Sequence, residues 1–70
     1  MNEVKQNLIK NWKIERFWDG NYVVDGYIYN DAKNGYVDGT HIRTSQILSV
    51  DFEQGVVKTK NSTYNLEITR

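Results

Sequence analysis

The feature that most constrains this fold is the density of short turn signals between runs of aromatic and aliphatic residues. The 70-residue chain contains no proline, so its turns have to be built from glycine, asparagine and aspartate. Short strands joined by such turns are typical of an antiparallel β meander. The signals are Asp19-Gly20-Asn21, Asp25-Gly26, Asn30-Asp31, Asn34-Gly35, Asp38-Gly39, Gln54-Gly55 and Asn61-Ser62.

The runs between these turns predict about five strands. Because glycine inside a strand usually marks a distortion, Asp25-Gly26 indicates a bulge or a sharp bend rather than the end of its strand. The strongest strand pattern places Leu48, Val50 and Phe52 on one face, which we expect to be buried. The predicted strand regions are 12–18, 22–30, 41–53, 56–60 and 63–69, with a polar loop over 31–39.

The N-terminal residues fit two patterns. Val4, Leu8 and Trp12 recur at helical spacing, whereas Leu8, Trp12 and Ile14 also share one face of an extended strand. We therefore expect a short helix or irregular arm over residues 1–10 and a β meander over residues 11–70. Both belong to a single small β domain that covers residues 1–70.

A chain of this size can build only a small core, which supplies roughly 3–5 kcal/mol. Cysteine is absent, so disulfides cannot add to it, and we expect a homo-oligomer in which subunit contacts do. Open strand edges invite further pairing. The sequence therefore predicts an all-β fold, either a small SH3-like or OB-like barrel or a coiled antiparallel meander.

Composition argues against several classes of function. One histidine and no cysteine disfavour a metal site within one chain, and we expect no cofactor. The formal net charge of zero weakens, without excluding, nucleic-acid binding. No apolar run approaches the roughly 20 residues that span a bilayer, so we expect a cytoplasmic protein with no membrane contact.

Catalysis has little support, and we expect a protein that is not an enzyme. His41 is the only imidazole base, and a hydrolytic triad would need Asp38 or Asp51 to orient it toward Ser45. Along one strand His41 and Ser45 would lie about 13 Å apart, too far for a hydrogen bond. A solvated histidine on a strand explains the residue more simply.

Two polar segments, residues 38–45 and 57–66, are the best candidates for ligand contact. Arginine grips phosphate in a fork, hydroxyls and amides complete such a site, and an aromatic ring can stack a base. Serine and threonine are also ordinary residues on a solvent-facing strand. The candidate ligand-binding residues are Arg43, Thr44, Ser45, Lys58, Thr59, Asn61 and Tyr64.

Most of the nine aromatic residues have to build the core, because there is little else to build it from. Trp18 and Tyr36 lie beside glycine turns, where a ring can remain exposed. An exposed ring suits a protein interface as well as a nucleobase. Trp18 and Tyr36 are therefore the candidate interface residues.

The second half of the chain carries the pattern Asp38-Gly39-x-x-Ile42-x-Thr44-Ser45, followed by Val57-x-Thr59-x-Asn61-Ser62-x-Tyr64-x-Leu66. This pattern resembles a group of small uncharacterised proteins encoded by phages and prophages. The resemblance implies an origin and no activity, and it carries over no functional residue. It favours accessory phage proteins, which often bind and disable a host factor.

These observations favour a phage or prophage binding protein that counteracts host antiviral defence inside the host cytoplasm. Its partner would be a host defence protein, which it occludes, or a small nucleotide signal, which it sequesters. The alternative is a regulatory protein that binds single-stranded nucleic acid. Binding would then weaken steeply with salt.

Overall fold

A computed structural model describes residues 5–68, which form one six-stranded β sheet. No helix occurs among these residues, so the all-β prediction is confirmed. The predicted helix or arm over residues 1–10 lies partly outside the described residues, and strand already begins at Leu8. The strands are β1 (Leu8–Arg16), β2 (Tyr22–Tyr29), β3 (Thr40–Arg43), β4 (Ile47–Asp51), β5 (Val56–Thr59) and β6 (Thr63–Leu66).

The sheet consists of two antiparallel meanders joined by a parallel pair, in the order β3-β2-β1-β6-β5-β4. β1 and β6 run parallel, with Leu8 opposite Asn65 and Ile9 opposite Leu66. The backbone amide of Asn65 donates to the carbonyl of Asn7, and that of Glu67 donates to the carbonyl of Ile9, at 2.9 Å each. The last strand therefore returns to the first, which a simple five-stranded meander would not do.

Gly26 lies opposite a bulge in β1. Lys10 pairs with Tyr27 and Lys13 with Asp25, so Asn11 and Trp12 together face Gly26. A Cβ atom on Gly26 would lie 2.5 Å from Cγ2 of Ile9 and 3.1 Å from both the Lys10 carbonyl oxygen and the Trp12 Cα. The predicted bulge is present, and its extra residue belongs to the neighbouring strand.

The core lies on one face of the curled sheet and is formed by Ile9, Val24, Ile28, Val57 and Leu66. Burying each of these side chains contributes about 1.5–3 kcal/mol. β2 and β4 approach each other across this core, and the short segment 44–46 connects β3 to β4. The sheet nevertheless keeps two edges, β3 and β4, so it is an open coiled sheet and not a closed barrel.

The predicted strand over residues 41–53 is two strands, and two of the three side chains on its predicted buried face are exposed. Leu48 is 64% exposed and Phe52 is 55% exposed, although Val50 packs against the core. Ile47 pairs with Thr59 and Ser49 with Lys58, so Leu48 lies at an irregularity of the ladder. Since side chains alternate between the two faces only along a regular strand, this irregularity moves Ile47 rather than Leu48 onto the core.

Candidate interaction surface

Trp18 is the most exposed large apolar side chain among the described residues, at 96% of its full area. It lies in the turn between β1 and β2. Two backbone bonds close this turn, from the Phe17 amide to the Asn21 carbonyl and from the Gly20 amide to the Phe17 carbonyl. The Asp19 carboxylate accepts two further bonds from Asn21, at 3.0 and 3.1 Å. The indole is therefore presented by a turn that four hydrogen bonds close.

This turn ends a two-stranded hairpin arm, which we define as residues 14–23. β6 pairs with β1 only at Leu8 and Ile9, and β3 pairs with β2 only from Asp25 to Ile28. Within residues 14–23 the two strands therefore pair with each other alone. The arm also carries two other exposed apolar side chains, Ile14 and the half-exposed Tyr22.

Arg43 braces the arm against β3. Its guanidinium lies 3.9 Å from the Glu15 carboxylate and 5.3 Å from the centre of the Phe17 ring. A cation over an aromatic face and an ion pair each contribute a fraction of a kcal/mol to about 1 kcal/mol at a partly exposed site. Arg43 thus holds the base of the element that presents Trp18.

Asp25 lies beneath His41 and Arg43 on the outer face of β2. Its carboxylate is only 10% exposed, and it is 2.7 Å from Nε2 of His41 and 3.3 Å from Nη2 of Arg43. The strand register produces this cluster, because Asp25 faces Arg43 and the neighbouring Tyr27 faces His41. The Tyr27 and His41 rings are also in contact, with centroids 5.1 Å apart.

The cluster favours the ionised carboxylate. The hydrogen bond from His41 lowers the pKa of Asp25, and the positive charge of Arg43 lowers it further, although burial acts in the opposite direction. Neither Asp38 nor Asp51 orients His41, as the sequence-based triad would have required. Among residues 5–68 no hydroxyl group hydrogen-bonds the imidazole, so His41 is not paired with a nucleophile there.

A cleft of about 280 Å³ lies along the free edge of β3. Ile42 and Tyr64 border it from the core side, and Tyr36 is contributed by the loop over residues 31–39. The residues that line the cleft are Asn34, Tyr36, His41, Ile42, Arg43 and Tyr64. Of the candidate ligand-binding residues, Arg43 and Tyr64 are the two that this cleft brings together.

Most of the other candidate ligand-binding residues hold the backbone. The buried Thr44 hydroxyl accepts from the Val24 amide at 3.0 Å and donates to the Ser45 carbonyl at 2.9 Å. The buried Thr59 hydroxyl bonds the backbone of Ser62. The Ser45 hydroxyl accepts from the Asn61 amide at 3.2 Å. These hydrogen bonds stabilise the connections from β3 to β4 and from β5 to β6.

Lys58 lies apart from Arg43. It is exposed on β5, opposite Ser49 and Thr63, and it does not line the cleft beside β3. Arg43 belongs to β3, in the other meander of the sheet. The ligand-binding role of the seven residues therefore stays a prediction. In the structure they lie in several separate places.

The loop that carries Tyr36 is organised by Asp31. Burial raises the pKa of this carboxyl, but hydrogen bonds from the backbone amides of Tyr36, Lys33 and Asn34 outweigh that effect, so the pKa is lowered. The Lys33 ammonium then reaches the Asn61 carbonyl at 2.8 Å and the Ser62 hydroxyl at 2.7 Å. The loop is thereby tied to the turn between β5 and β6, with Tyr36 half exposed.

Sequence reasoning assigned Asp25 to a bend and did not connect it to His41. The two residues are 16 positions apart, and only the register between β2 and β3 places them together. One signal was nevertheless present in the sequence. Asp25 is an acidic residue within a predicted strand, and a buried carboxylate needs a charged or hydrogen-bonding partner.

No protein-family model, no curated protein and no solved structure matches this chain. Within residues 5–68, no three histidine or acidic side chains come together in a group that could hold a metal ion. The same residues include no helix that is long and apolar enough to cross a membrane.

Proposed function

We propose that this protein is a non-enzymatic binding protein that occludes the surface of a partner protein, with Trp18 as its anchor. In the phage setting that the sequence pattern suggests, the partner is a host defence protein in the host cytoplasm. The observation that carries the proposal is the 96% exposure of Trp18 on a turn closed by four hydrogen bonds.

Tryptophan is among the residues that contribute most to binding at protein interfaces. Presenting it on a structured turn reduces the entropy that binding would otherwise cost. Ile14 and Tyr22 extend the apolar surface of the arm, and Arg43 supports its base. A projecting hairpin arm of this kind suits insertion into an apolar pocket on a folded protein.

The rival mechanism, sequestration of a nucleotide, receives less support. The hydroxyls of Thr44 and Thr59 are buried and already bonded to backbone. The guanidinium of Arg43 is already matched by two carboxylates, Asp25 and Glu15. A phosphate at Arg43 would have to compete with both, so occlusion is the mechanism that we favour.

The experiment is native mass spectrometry of tagged protein purified from phage-infected cells, for the wild type and two variants. Trp18→Ala removes the proposed anchor. Leu48→Ala removes another exposed apolar side chain, from β4, and serves as the matched control. We expect a host protein to be retained by the wild type and by Leu48→Ala, and to be lost or weakened by roughly 30-fold or more in Trp18→Ala.

Three outcomes contradict this proposal. Equal retention of the host protein by Trp18→Ala would exclude Trp18 as the anchor. A retained nucleotide-sized mass would favour sequestration. Retained nucleic acid that is released by moderate salt would favour the regulatory alternative.

A further inference from the structure

Asparagine and aspartate side chains can react with their own backbone when glycine follows them. The backbone nitrogen of the glycine attacks the side-chain carbonyl carbon and closes a five-membered imide ring. Glycine favours this step because it has no Cβ to obstruct the approach. An amide reacts faster than an ionised carboxylate, which is a poor electrophile. The sequences of this kind are Asp19-Gly20, Asp25-Gly26, Asn34-Gly35 and Asp38-Gly39, and Asn34-Gly35 is the one that carries an amide.

The fold protects the glycine nitrogen at the three aspartate sequences. The Gly20 amide donates to the Phe17 carbonyl at 2.9 Å, and the Gly39 amide donates to the Ile28 carbonyl at 2.8 Å. Gly26 is buried within β2. A nitrogen that donates a hydrogen bond has to break that bond before it can attack a carbonyl carbon. These three sequences are therefore held in unreactive states.

Gly35 differs from the other three glycines. The Asp31 carboxylate accepts through Oδ1 from the amides of Lys33 and Asn34, at 3.1 and 3.3 Å, and through Oδ2 from the amide of Tyr36 at 3.1 Å. Within residues 5–68 no acceptor holds the Gly35 amide that lies between them. Both Asn34 and Gly35 are exposed. Apart from its chain neighbours, no heavy atom lies within 4 Å of a Cβ built on Gly35, so the loop leaves room for the ring.

We propose that Asn34 is a site of spontaneous modification, at which the Gly35 nitrogen displaces the side-chain amide as ammonia. A bond forms between that nitrogen and Cγ of Asn34, the bond from Cγ to the amide nitrogen breaks, and the Gly35 amide proton leaves with the ammonia. Water then opens the imide ring at one of its two carbonyl carbons. Opening at Cγ gives aspartate. Opening at the main-chain carbonyl gives isoaspartate, in which the backbone runs through the former side chain.

The products change the loop that carries Tyr36. Asn34 lines the cleft beside β3 together with Tyr36 and Arg43, and either product adds a negative charge there. Isoaspartate also inserts a methylene carbon into the backbone between the two amides, of Asn34 and Tyr36, that the Asp31 carboxylate holds together. The longer backbone no longer matches the span of one carboxylate. We therefore expect the Tyr36 amide to leave Asp31 in the isoaspartate form and to stay bound in the aspartate form.

The test compares the folded protein with peptides of the same local sequence. Purified protein is kept in mildly alkaline buffer, and conversion is followed by peptide mapping with mass spectrometry. Digestion in heavy-oxygen water marks any conversion that occurs during sample preparation. Asn61-Ser62 is the internal control, because serine also obstructs the ring little and the Ser62 amide donates to the Thr59 hydroxyl at 3.2 Å. Acetylated and amidated peptides over residues 32–37 and 59–64 give the unprotected rates.

The two asparagines should respond differently to folding. We expect Asn34 to convert within about threefold of the rate of its peptide, and Asn61 to convert at least roughly fivefold more slowly than its own, as a hydrogen bond that has to break requires. Asn34→Gln should show no conversion at residue 34 over the same period, because glutamine has to close a larger ring.

NMR of isotope-labelled protein tests the consequence for the loop. Aged protein enriched in the isoaspartate form is compared with fresh protein and with Asn34→Asp, which carries the new charge without the extra carbon. We expect the Tyr36 amide signal to move in the isoaspartate form and to stay near its original position in Asn34→Asp. Neither measurement involves Trp18, so failure of the proposed function would not affect these results.

Four results would overturn the inference. Asn34 could be slowed by folding as much as Asn61, and the loop would then protect it. If folding slowed neither asparagine, backbone hydrogen bonds would not select the site. Formation of aspartate without isoaspartate would exclude the imide ring. A Tyr36 amide signal that stays in place in the isoaspartate form would exclude the proposed change in the loop.

Discussion

Gly26 is a position where this sheet has no room for a side chain. The atoms that a Cβ would meet include the Lys10 carbonyl oxygen and the Trp12 Cα, which are backbone atoms and cannot move aside as a flexible side chain would. We therefore expect Gly26→Ala to lower the free energy of unfolding by about 3 kcal/mol, at the upper end of the usual cost of overpacking. Urea denaturation followed by tryptophan fluorescence measures this change.

Gly35→Ala is the control for that measurement. Gly35 has a φ of 72° but no heavy atom within 4 Å of a Cβ, so alanine there meets only backbone strain. The expected loss is about 1 kcal/mol. A loss for Gly26→Ala no larger than that for Gly35→Ala would show that β1 and β2 can separate at the bulge without significant cost.

We expect Asp25 to make the free energy of unfolding depend on pH in the acidic range. Because the hydrogen bond from His41 lowers its folded-state pKa below the ordinary 3.8, Asp25 stabilises the fold above that pH. This contribution is lost as the pH falls through the lowered pKa. The wild type should therefore lose more stability between pH 5 and acid pH than Asp25→Asn does. Urea midpoints at a series of pH values measure both slopes.

Glu53→Gln controls for the loss of one negative charge, since Glu53 is exposed in the turn between β4 and β5. It should keep the acid dependence of the wild type. Asp25→Asn and the wild type could instead lose the same stability as the pH falls. The folded state would then not favour the ionised form of Asp25, and its interactions with His41 and Arg43 would be weaker than the distances indicate.

At the level of single strands, the bulge in β1 depends on Asn11. This residue has a φ of 50°, in the left-handed region that asparagine and glycine tolerate and β-branched residues avoid. Asn11→Gly should be neutral or slightly stabilising, whereas Asn11→Val should cost about 1–2 kcal/mol. Thermal unfolding followed by circular dichroism compares the two. A valine variant as stable as the wild type would mean that β1 can pair without its bulge.

The strands illustrate what local sequence can predict. Turn dipeptides such as Asp19-Gly20 mark where strands end, because the backbone conformation of a tight turn is a local property. The alternation of Leu48, Val50 and Phe52 predicted that all three are buried, but an irregularity beside Leu48 exposes that residue, and Phe52 lies in the turn after β4. Such an irregularity depends on the partner strand, β5, and a single strand carries no information on it.

For the whole molecule, the same reasoning explains which parts of the fold and the site could be predicted. The all-β class follows from turn spacing, and the exposed Trp18 follows from its place beside a glycine turn. The parallel pairing of β1 with β6 joins residues more than 50 positions apart, and the approach of His41 to Asp25 depends on strand register. Neither contact leaves a pattern within one segment.

The parallel pairing makes the fold depend on its last strand. Leu66 is 2% exposed and packs in the core beside Ile9, its partner on β1. Truncating a buried leucine costs about 2–5 kcal/mol, and a domain of this size has about 3–5 kcal/mol in total. Leu66→Ala should therefore be largely unfolded at 25 °C by far-ultraviolet circular dichroism.

Leu66→Val keeps the comparison measurable if the alanine variant does not fold. It should lose about 1 kcal/mol in urea denaturation, as other deletions of a single buried methylene do. Leu48→Ala, at a leucine that is 64% exposed, should change stability by less than about 0.5 kcal/mol. The alternating sequence pattern places Leu48 in the core, whereas the observed strand register exposes it. If Leu48→Ala loses as much free energy of unfolding as Leu66→Val does, β4 pairs without its irregularity.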